Sequence, residues 1–167
     1  LNSALDAVSN GDAELAQKVR ENDYKVNAME VNIDEECTRI IALRQPAAAD
    51  LRVVMAISKI VRDLERMGDE AYKVGRLAAE LASDPPPASA LNLSVSLGRQ
   101  VADLVKRAVD SFVRLDADEA SEVRGDDKVI DSDYESSLRA MVTFMIEDPR
   151  SIGRMVKLLW VFRSLER

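Results

Sequence analysis

Histidine is absent from this sequence of 167 residues, cysteine occurs once and aromatic residues make up 4% of the chain. The single cysteine, Cys37, excludes an intrachain disulfide, and we expect it to be a small core residue. Sheets draw on aromatic and β-branched residues, so the scarcity of aromatics beside abundant Ala, Leu, Glu, Asp, Lys and Arg favours helices. The sequence therefore predicts an all-α protein.

Basic residues are also in short supply, with 23 Lys and Arg against 30 Asp and Glu and a formal net charge of −7. Nucleic-acid binding needs an excess of bases on one face, so we expect no nucleic-acid partner. No apolar run approaches the roughly 18 residues that a membrane span needs, and no signal peptide is visible. Because the chain begins at Leu1 without Met and stops at Arg167 inside a helical pattern, we expect both ends to be truncated.

Apolar residues follow helical spacing on both sides of Pro46. The stretch from Asp12 to Arg44 predicts one long helix with Asp12 as its N-cap, because its apolar residues recur at steps of three, four or seven. A second long helix is predicted to start at Pro46, where a first-turn proline is tolerated, and to run to Leu81. The two helices predict an antiparallel hairpin, and the residues before Gly11 resemble the end of a third helix.

Three consecutive prolines after this hairpin cannot lie in a helix interior and mark a linker, which we place at 83–94. After the prolines we predict a helix from about Leu91 to Leu115, another from Asp116 to Asp148, and a third after Pro149. The second half thus repeats the helix plan of the first.

Residue matches support a duplication. A shift of 104 positions places Asp12 on Asp116 and Arg20 on Arg124. After short gaps, RDLER in the first half corresponds to RSLER in the second. The sequence therefore predicts six long helices in two tandem, sequence-related three-helix bundles, one over 1–82 and a truncated one over 95–167.

Two rows of acidic residues flank the apolar stripes of the hairpin. Glu65 and Asp69 form a Glu-x-x-x-Asp pair on one helix, and Glu30 and Asp34 form another on the preceding helix, in a row with Asp23. If the two edges meet, a cation would relieve the repulsion among the carboxylates. Without His, such a site would be all oxygen, which suits Mg, Ca or Mn, admits Fe or Zn as carboxylate clusters, and excludes the His-containing di-iron motif of helix bundles.

The alternative is a solvated acidic face that pairs with nearby bases such as Arg62, Arg66 and Lys73. In the second half the matching row is Asp127, Asp131 and Glu135, but its partner helix ends at Glu166 before a following Asp. No enzyme constellation is visible, because the chain has no His base and no Gly-rich phosphate loop. We expect Trp160 to be a core residue.

The segment from Val26 to Ala71 closely resembles the PhoU family, phosphate-uptake regulators of bacteria, through its QP-x-x-x-DLR and LER-x-GD signatures. The second half resembles the second repeat of that family through DDKVIDSDYE and EDPRSIGRMVKLLWVFRSLER. The resemblance implies a cytoplasmic, non-enzymatic negative regulator of the phosphate-starvation response that also modulates phosphate uptake. It implies an adaptor between the ATPase subunit of the phosphate ABC transporter and the sensor histidine kinase PhoR. It further implies homodimers that reach the membrane only through these partners.

The resemblance also implies a divalent metal or a multinuclear cluster of Fe, Zn, Mn or Mg on the acidic motifs. The matching positions are Glu30, Asp34, Glu65 and Asp69 in the first repeat, and Asp127, Asp131, Glu135 and Glu166 in the second. We hypothesise that Arg62, Arg66 and Lys73 contact a partner. Two alternatives stay open: a carboxylate-metal helical protein with an enzymatic or metal-storage role, and a purely structural adaptor without metal.

Overall fold

The computed structural model describes residues 1–167, and the chain folds into six α-helices without a strand. Two hairpins of two long helices each follow one another along the chain, and a 3-10 turn over Pro149–Ser151 leads into the last helix. The helices are α1 (Asn2–Asn10), α2 (Ala13–Arg44), α3 (Ala48–Ala82), α4 (Ala88–Arg114), α5 (Ala117–Glu147) and α6 (Ile152–Glu166). This confirms the all-α prediction.

The same capping device starts the second helix of each half. The Asp12 side chain accepts a hydrogen bond from the backbone N–H of Leu15 at 2.9 Å, and that of Asp116 accepts one from Glu119 at 3.0 Å. Each carboxylate satisfies a backbone donor that has no partner within the helix. The two halves therefore share this N-cap residue as well as their helix order.

Two predicted helix starts are wrong. Helix α3 begins at Ala48 rather than Pro46, because Gln45 adopts a left-handed conformation (φ 46°) and Ala47 is extended, which leaves Pro46 in the connection. Helix α4 begins at Ala88, within the predicted linker 83–94, because the Pro87 carbonyl accepts the first hydrogen bonds of the helix. A proline can hold this cap position, since the cap needs a carbonyl and no N–H.

The helices form two tandem three-helix bundles that share one core. Helices α1, α2 and α3 make the first bundle, and α4, α5 and α6 make the second. The bundles join where α1 packs on α4 and α3 packs on α6. A single cluster of buried apolar residues extends through both, from Leu5 and Val74 in the first bundle to Met141 and Phe162 in the second.

Ion pairs line the junction between α3 and α6. Each one joins an acid of α3, or of the turn just after it, to a base of α6 or the terminal residue after it. The pairs are Glu70 with Arg167 at 3.3 Å, Glu80 with Lys157 at 3.3 Å, and Asp84 with Arg154 at 3.1 Å. Their acids all belong to the first half and their bases to the second, so the junction is electrostatically complementary as well as apolar.

Two single-residue predictions had opposite outcomes. Cys37 is buried, as expected for a small core residue. The expectation that Trp160 lies in the core is wrong, because its side chain is 60% exposed while Leu158, Val161 and Phe162 of the same helix are fully buried. At about 100° per residue, those three positions fill the inner face of α6 and turn Trp160 outward.

No helix has the length and apolarity that a membrane crossing requires.

Candidate functional site

The acidic motifs of the first bundle lie along the seam between α2 and α3. A hydrogen bond of 2.6 Å from Ser58 Oγ to Asp34 Oδ1 fixes the register at one point, and Val26 meets Gly68 at a second. Glu30 lies between Val26 and Asp34 along α2, so it lies level with the α3 segment between Ser58 and Gly68, which contains Glu65. The packing of the hairpin therefore brings the two predicted carboxylate edges alongside each other.

These carboxylates differ in their exposure to solvent. Glu30, Asp34 and Glu65 are half-buried, whereas Asp69 is exposed. Asp69 follows Gly68 and therefore lies level with the part of α2 just before Val26, where Asp23 is found. The seam is thus less accessible to solvent around Glu30 and Glu65 than at its end near Asp69.

The fit of this seam to a metal can be judged from the side-chain positions. All the available donors are carboxylate oxygens, a set that hard divalent cations prefer, and Asp23 Oδ1 is buried without a protein hydrogen bond. Against this, no group of three or more acidic or cysteine side chains has the spacing of a metal site, and Asp34 Oδ1 is already bonded to Ser58. As arranged here the residues do not fit a metal, and metal binding stays a prediction.

Cys37 lies one turn from Asp34 and could have been a further ligand or a nucleophile. Burial raises the pKa of its thiol, and the nearby carboxylates of Asp34 and Glu36 raise it further. Metal binding and nucleophilic attack both require the thiolate. Cys37 is therefore a neutral packing residue beside the seam.

The acidic residues of the second bundle are more dispersed. Asp127, Asp131 and Glu135 are all exposed on α5, and Glu135 forms an ion pair of 3.8 Å with Arg139. Asp127 and Glu166 line the same cleft of about 380 Å³ between the bundles, whose other walls are mostly apolar. The structure thus brings Asp127 and Glu166 to one cleft, while Asp131 and Glu135 do not line it.

The three bases predicted to contact a partner have different environments. Arg62 is exposed and its Nε donates to the Ser58 carbonyl of its own helix at 3.2 Å. Arg66 is exposed and lies 3.7 Å from Asp63. Lys73 is half-buried and binds Glu70 at 2.9 Å. Arg62 and Arg66 are therefore accessible, whereas Lys73 is engaged in an intramolecular ion pair.

Sequence reasoning missed Glu70, the best-anchored carboxylate of α3. Its side chain is 15% exposed and contacts Lys73 at 2.9 Å and Arg167 at 3.3 Å. Burial acts to raise its pKa, but hydrogen bonds from Lys73 and Ser164 and the charges of Lys73 and Arg167 outweigh burial and lower the pKa. Nothing in the local sequence around Glu70 distinguishes it from an exposed acid. Its partners Ser164 and Arg167 lie about a hundred residues further along the chain.

The helical repeat agrees with a known family. The PhoU domain model matches residues 1–78 and again residues 95–167. The chain belongs to the PhoU family. The two matches correspond to the two bundles, and the resemblance noted from the QP-x-x-x-DLR and LER-x-GD signatures is confirmed.

Curated PhoU proteins align along the full length of this chain. The phosphate-specific transport system accessory protein PhoU homolog of Pseudomonas aeruginosa is 49% identical over 167 residues, which cover 100% of this chain and 69% of that protein. The homolog from Pseudomonas putida is 50% identical, with 65% of its length covered. The PhoU protein of Escherichia coli K12 is 45% identical, with 69% covered. The chain therefore spans about two thirds of the length of these relatives.

Solved PhoU structures share the fold. The crystal structure of PhoU from Pseudomonas aeruginosa superimposes with a TM-score of 0.94 at 49% identity, covering 99% of this chain and 79% of that one. The phosphate transport system regulatory protein PhoU from Streptococcus pneumoniae gives a TM-score of 0.89 at 25% identity, covering 99% and 77%. The arrangement of the two bundles is thus common to PhoU proteins of distant bacteria.

Proposed function

We propose that this protein is a regulatory accessory of a phosphate-specific transport system. The observation that carries the proposal is the similarity, along the whole of this chain, to proteins named as accessory proteins of that system, at 45% to 50% identity. In this role the protein holds back the phosphate-starvation response when phosphate is plentiful and modulates phosphate uptake. It acts in the cytoplasm and forms homodimers.

The mechanism we propose is adaptor binding. The protein contacts the ATPase subunit of the phosphate ABC transporter and the sensor histidine kinase PhoR, and its binding energy shifts the kinase between two activity states. Long, rigid helices with exposed charged faces suit this role, because they offer extended surfaces on which two partners can dock at separate places. The accessible bases Arg62 and Arg66 make the outer side of α3 one such surface.

Catalysis is not part of this proposal. The cleft between the bundles is lined by 13 hydrophobic residues among 18, and its charged groups do not include a paired base and nucleophile. If the protein did turn over a substrate and Glu65→Ala abolished that turnover, the result would contradict the non-enzymatic role and favour the carboxylate-metal alternative.

A binding measurement tests the adaptor role directly. Isothermal titration calorimetry of the purified full chain against the transporter ATPase subunit and against the cytoplasmic part of PhoR should give saturable binding to each. In a strain that lacks its own PhoU gene, expression of the protein should restore repression of alkaline phosphatase at high phosphate. Absence of binding to both partners, together with an unrepressed phosphatase, would refute the proposal.

A further inference from the structure

One face of α3 carries a line of exposed residues that no other helix covers. Leu51, Met55, Lys59, Arg62 and Arg66 follow one another at steps of four, four, three and four, so they lie in one row along the helix. Arg52 lies beside the row. All six are exposed, with Leu51 at 37% and Met55 at 46%. We call these six residues the basic stripe.

The position of the stripe follows from the packing of α3. This helix contacts α1, α2 and α6, and its buried positions in the same segment are Val54 and Val61. At about 100° per residue those two positions lie roughly a quarter to a third of a turn from Met55. The stripe therefore lies outside the core and beside the seam with α2, where Ser58 bonds Asp34.

The stripe is an exception to the charge of the molecule. Acidic residues outnumber basic ones by 30 to 23 in the whole chain, yet four of the six stripe residues are basic and none is acidic. The nearest acids do little to neutralise it: Asp63 is 3.7 Å from Arg66 in an exposed pair, and such pairs contribute little. Glu65 belongs to the seam with α2. The positive charge of the stripe is therefore available to a partner.

We propose that the basic stripe is the docking surface for an acidic amphipathic helix of a partner protein. From Leu51 to Arg66 the row is about 22 Å long, which matches roughly four turns of a partner helix. Leu51 and Met55 accept its apolar side chains, and Arg52, Lys59, Arg62 and Arg66 face its carboxylates. The proposal rests on the adaptor role above and adds to it the surface and the chemistry of the partner.

The composition of the stripe favours a protein over a membrane or a nucleic acid. Met and Arg are enriched at protein interfaces, whereas Lys is depleted, and the stripe holds three Arg and one Lys. Membrane-surface helices carry several Trp, Phe or Leu side chains on a broad apolar face, of which the stripe has only Leu51, and single-stranded nucleic acid stacks on aromatics. No aromatic residue occurs from Gln45 to Ala71. A flat row of two apolar and four basic side chains fits the charged, amphipathic side of a helix.

Fluorescence anisotropy with two labelled peptides tests the proposal on the full chain. Both are helical 16-residue designs with the same Leu positions, and the remaining positions are Glu in one and Lys in the other. The Glu peptide should bind, and the Lys peptide should not. Arg52→Glu combined with Arg62→Glu should weaken binding of the Glu peptide at least about tenfold, since the reversed charges would face like charges across the interface, which is strongly unfavourable. Met55→Asp should also weaken it.

Matched controls separate docking from general charge and from misfolding. Arg99→Glu combined with Arg139→Glu changes the net charge equally at exposed sites on α4 and α5 and should leave binding unchanged. Circular dichroism checks that every variant stays helical. Equal binding of both peptides, or binding insensitive to the stripe substitutions, overturns the proposal. It is also overturned if the stripe binds phosphatidylglycerol vesicles but not the Glu peptide, or if the substitutions alter only self-association in sedimentation velocity.

The transporter ATPase subunit distinguishes failure of this inference from failure of the adaptor role. If the ATPase binds and the stripe substitutions leave its affinity unchanged, the adaptor role stands and the stripe is the wrong surface for that partner. If neither the ATPase nor PhoR binds but the Glu peptide binds through the stripe, the docking surface stands and the adaptor role fails.

Discussion

Leu5 and Gly98 touch where α1 crosses α4, at the join of the two bundles. A Cβ atom placed on Gly98 would lie 2.9 Å from Leu5 Cδ1 and 3.1 Å from Leu5 Cγ, with the other methyl group nearer still. Leu5 is 3% exposed and belongs to the core cluster that extends through both bundles. The bundles can approach this closely only because residue 98 has no side chain.

Gly98→Ala should therefore destabilise the protein by about 1–3 kcal/mol, the usual cost of overpacking a tight core. Urea unfolding at fixed temperature measures the change. Gly125→Ala is the matched control, because no atom lies within 4 Å of a Cβ there, and it should stabilise helix α5 by roughly 0.5–1 kcal/mol. A double-mutant cycle with Leu5→Ala should be clearly non-additive; additive effects would place the strain elsewhere.

The two aspartate caps give a second prediction. Asp116→Ala removes the acceptor for the Glu119 N–H and should cost about 1 kcal/mol of unfolding free energy, as should Asp12→Ala. Asp116→Asn keeps an oxygen acceptor and should cost little. If Ala and Asn lowered stability equally, the hydrogen bond would not be the source of the effect.

Local sequence signals were sufficient to predict the helices. Three signals act within a few residues: the cap at Asp12, the break around Pro46 and the triple proline. The recurrence of a capping aspartate and a proline break in the second half indicated two related bundles. The two misplaced helix starts, at Ala48 and Ala88, depended on the backbone conformation of Gln45 and on a capping role for Pro87. Neither is determined by residue type alone.

Long-range relationships were harder to predict. Helical spacing placed Glu30, Asp34, Glu65 and Asp69 along two edges. It could not show that the Ser58 hydroxyl would donate a hydrogen bond to Asp34. The exposure of Trp160 likewise follows from which face of α6 meets the other helices. Such features depend on how the helices pack on one another, which helical spacing alone does not show.

Glu70 predicts a pH dependence of stability. The pKa of Glu70 is lower in the folded protein than its ordinary value, so the folded state favours the ionised form. This contribution is present above the ordinary glutamate pKa, about 4.5, and is lost as the pH falls through the lower folded value. Acid should therefore loosen the contact between α3 and α6.

Glu70→Gln should lower the free energy of unfolding at pH 7 by about 1–3 kcal/mol, because Lys73 and Arg167 lose a charged, half-buried partner. The deficit should shrink as the pH falls below the ordinary glutamate pKa, where the native carboxyl also becomes neutral. Urea titrations at pH 7, 5 and 3.5 measure it. Glu135→Gln, at an exposed site, should leave the profile unchanged, and a deficit that stayed constant with pH would contradict the assignment.

The carboxylate seam yields the last prediction, which concerns metal. If the acidic motifs bind a divalent cation, protein purified without chelator or affinity metal should contain stoichiometric Mn, Mg, Fe or Zn by mass spectrometry. Glu65→Ala combined with Asp69→Ala should lose it, while Asp63→Ala, on the same helix but outside the seam, should keep it.

The seam must rearrange to bind a cation, because it holds no three-carboxylate group and Ser58 already bonds Asp34. Ser58→Ala removes that competing donor and should therefore retain or strengthen metal binding. Metal-free protein that still binds its partners would instead mean that the carboxylates act through charge and packing alone.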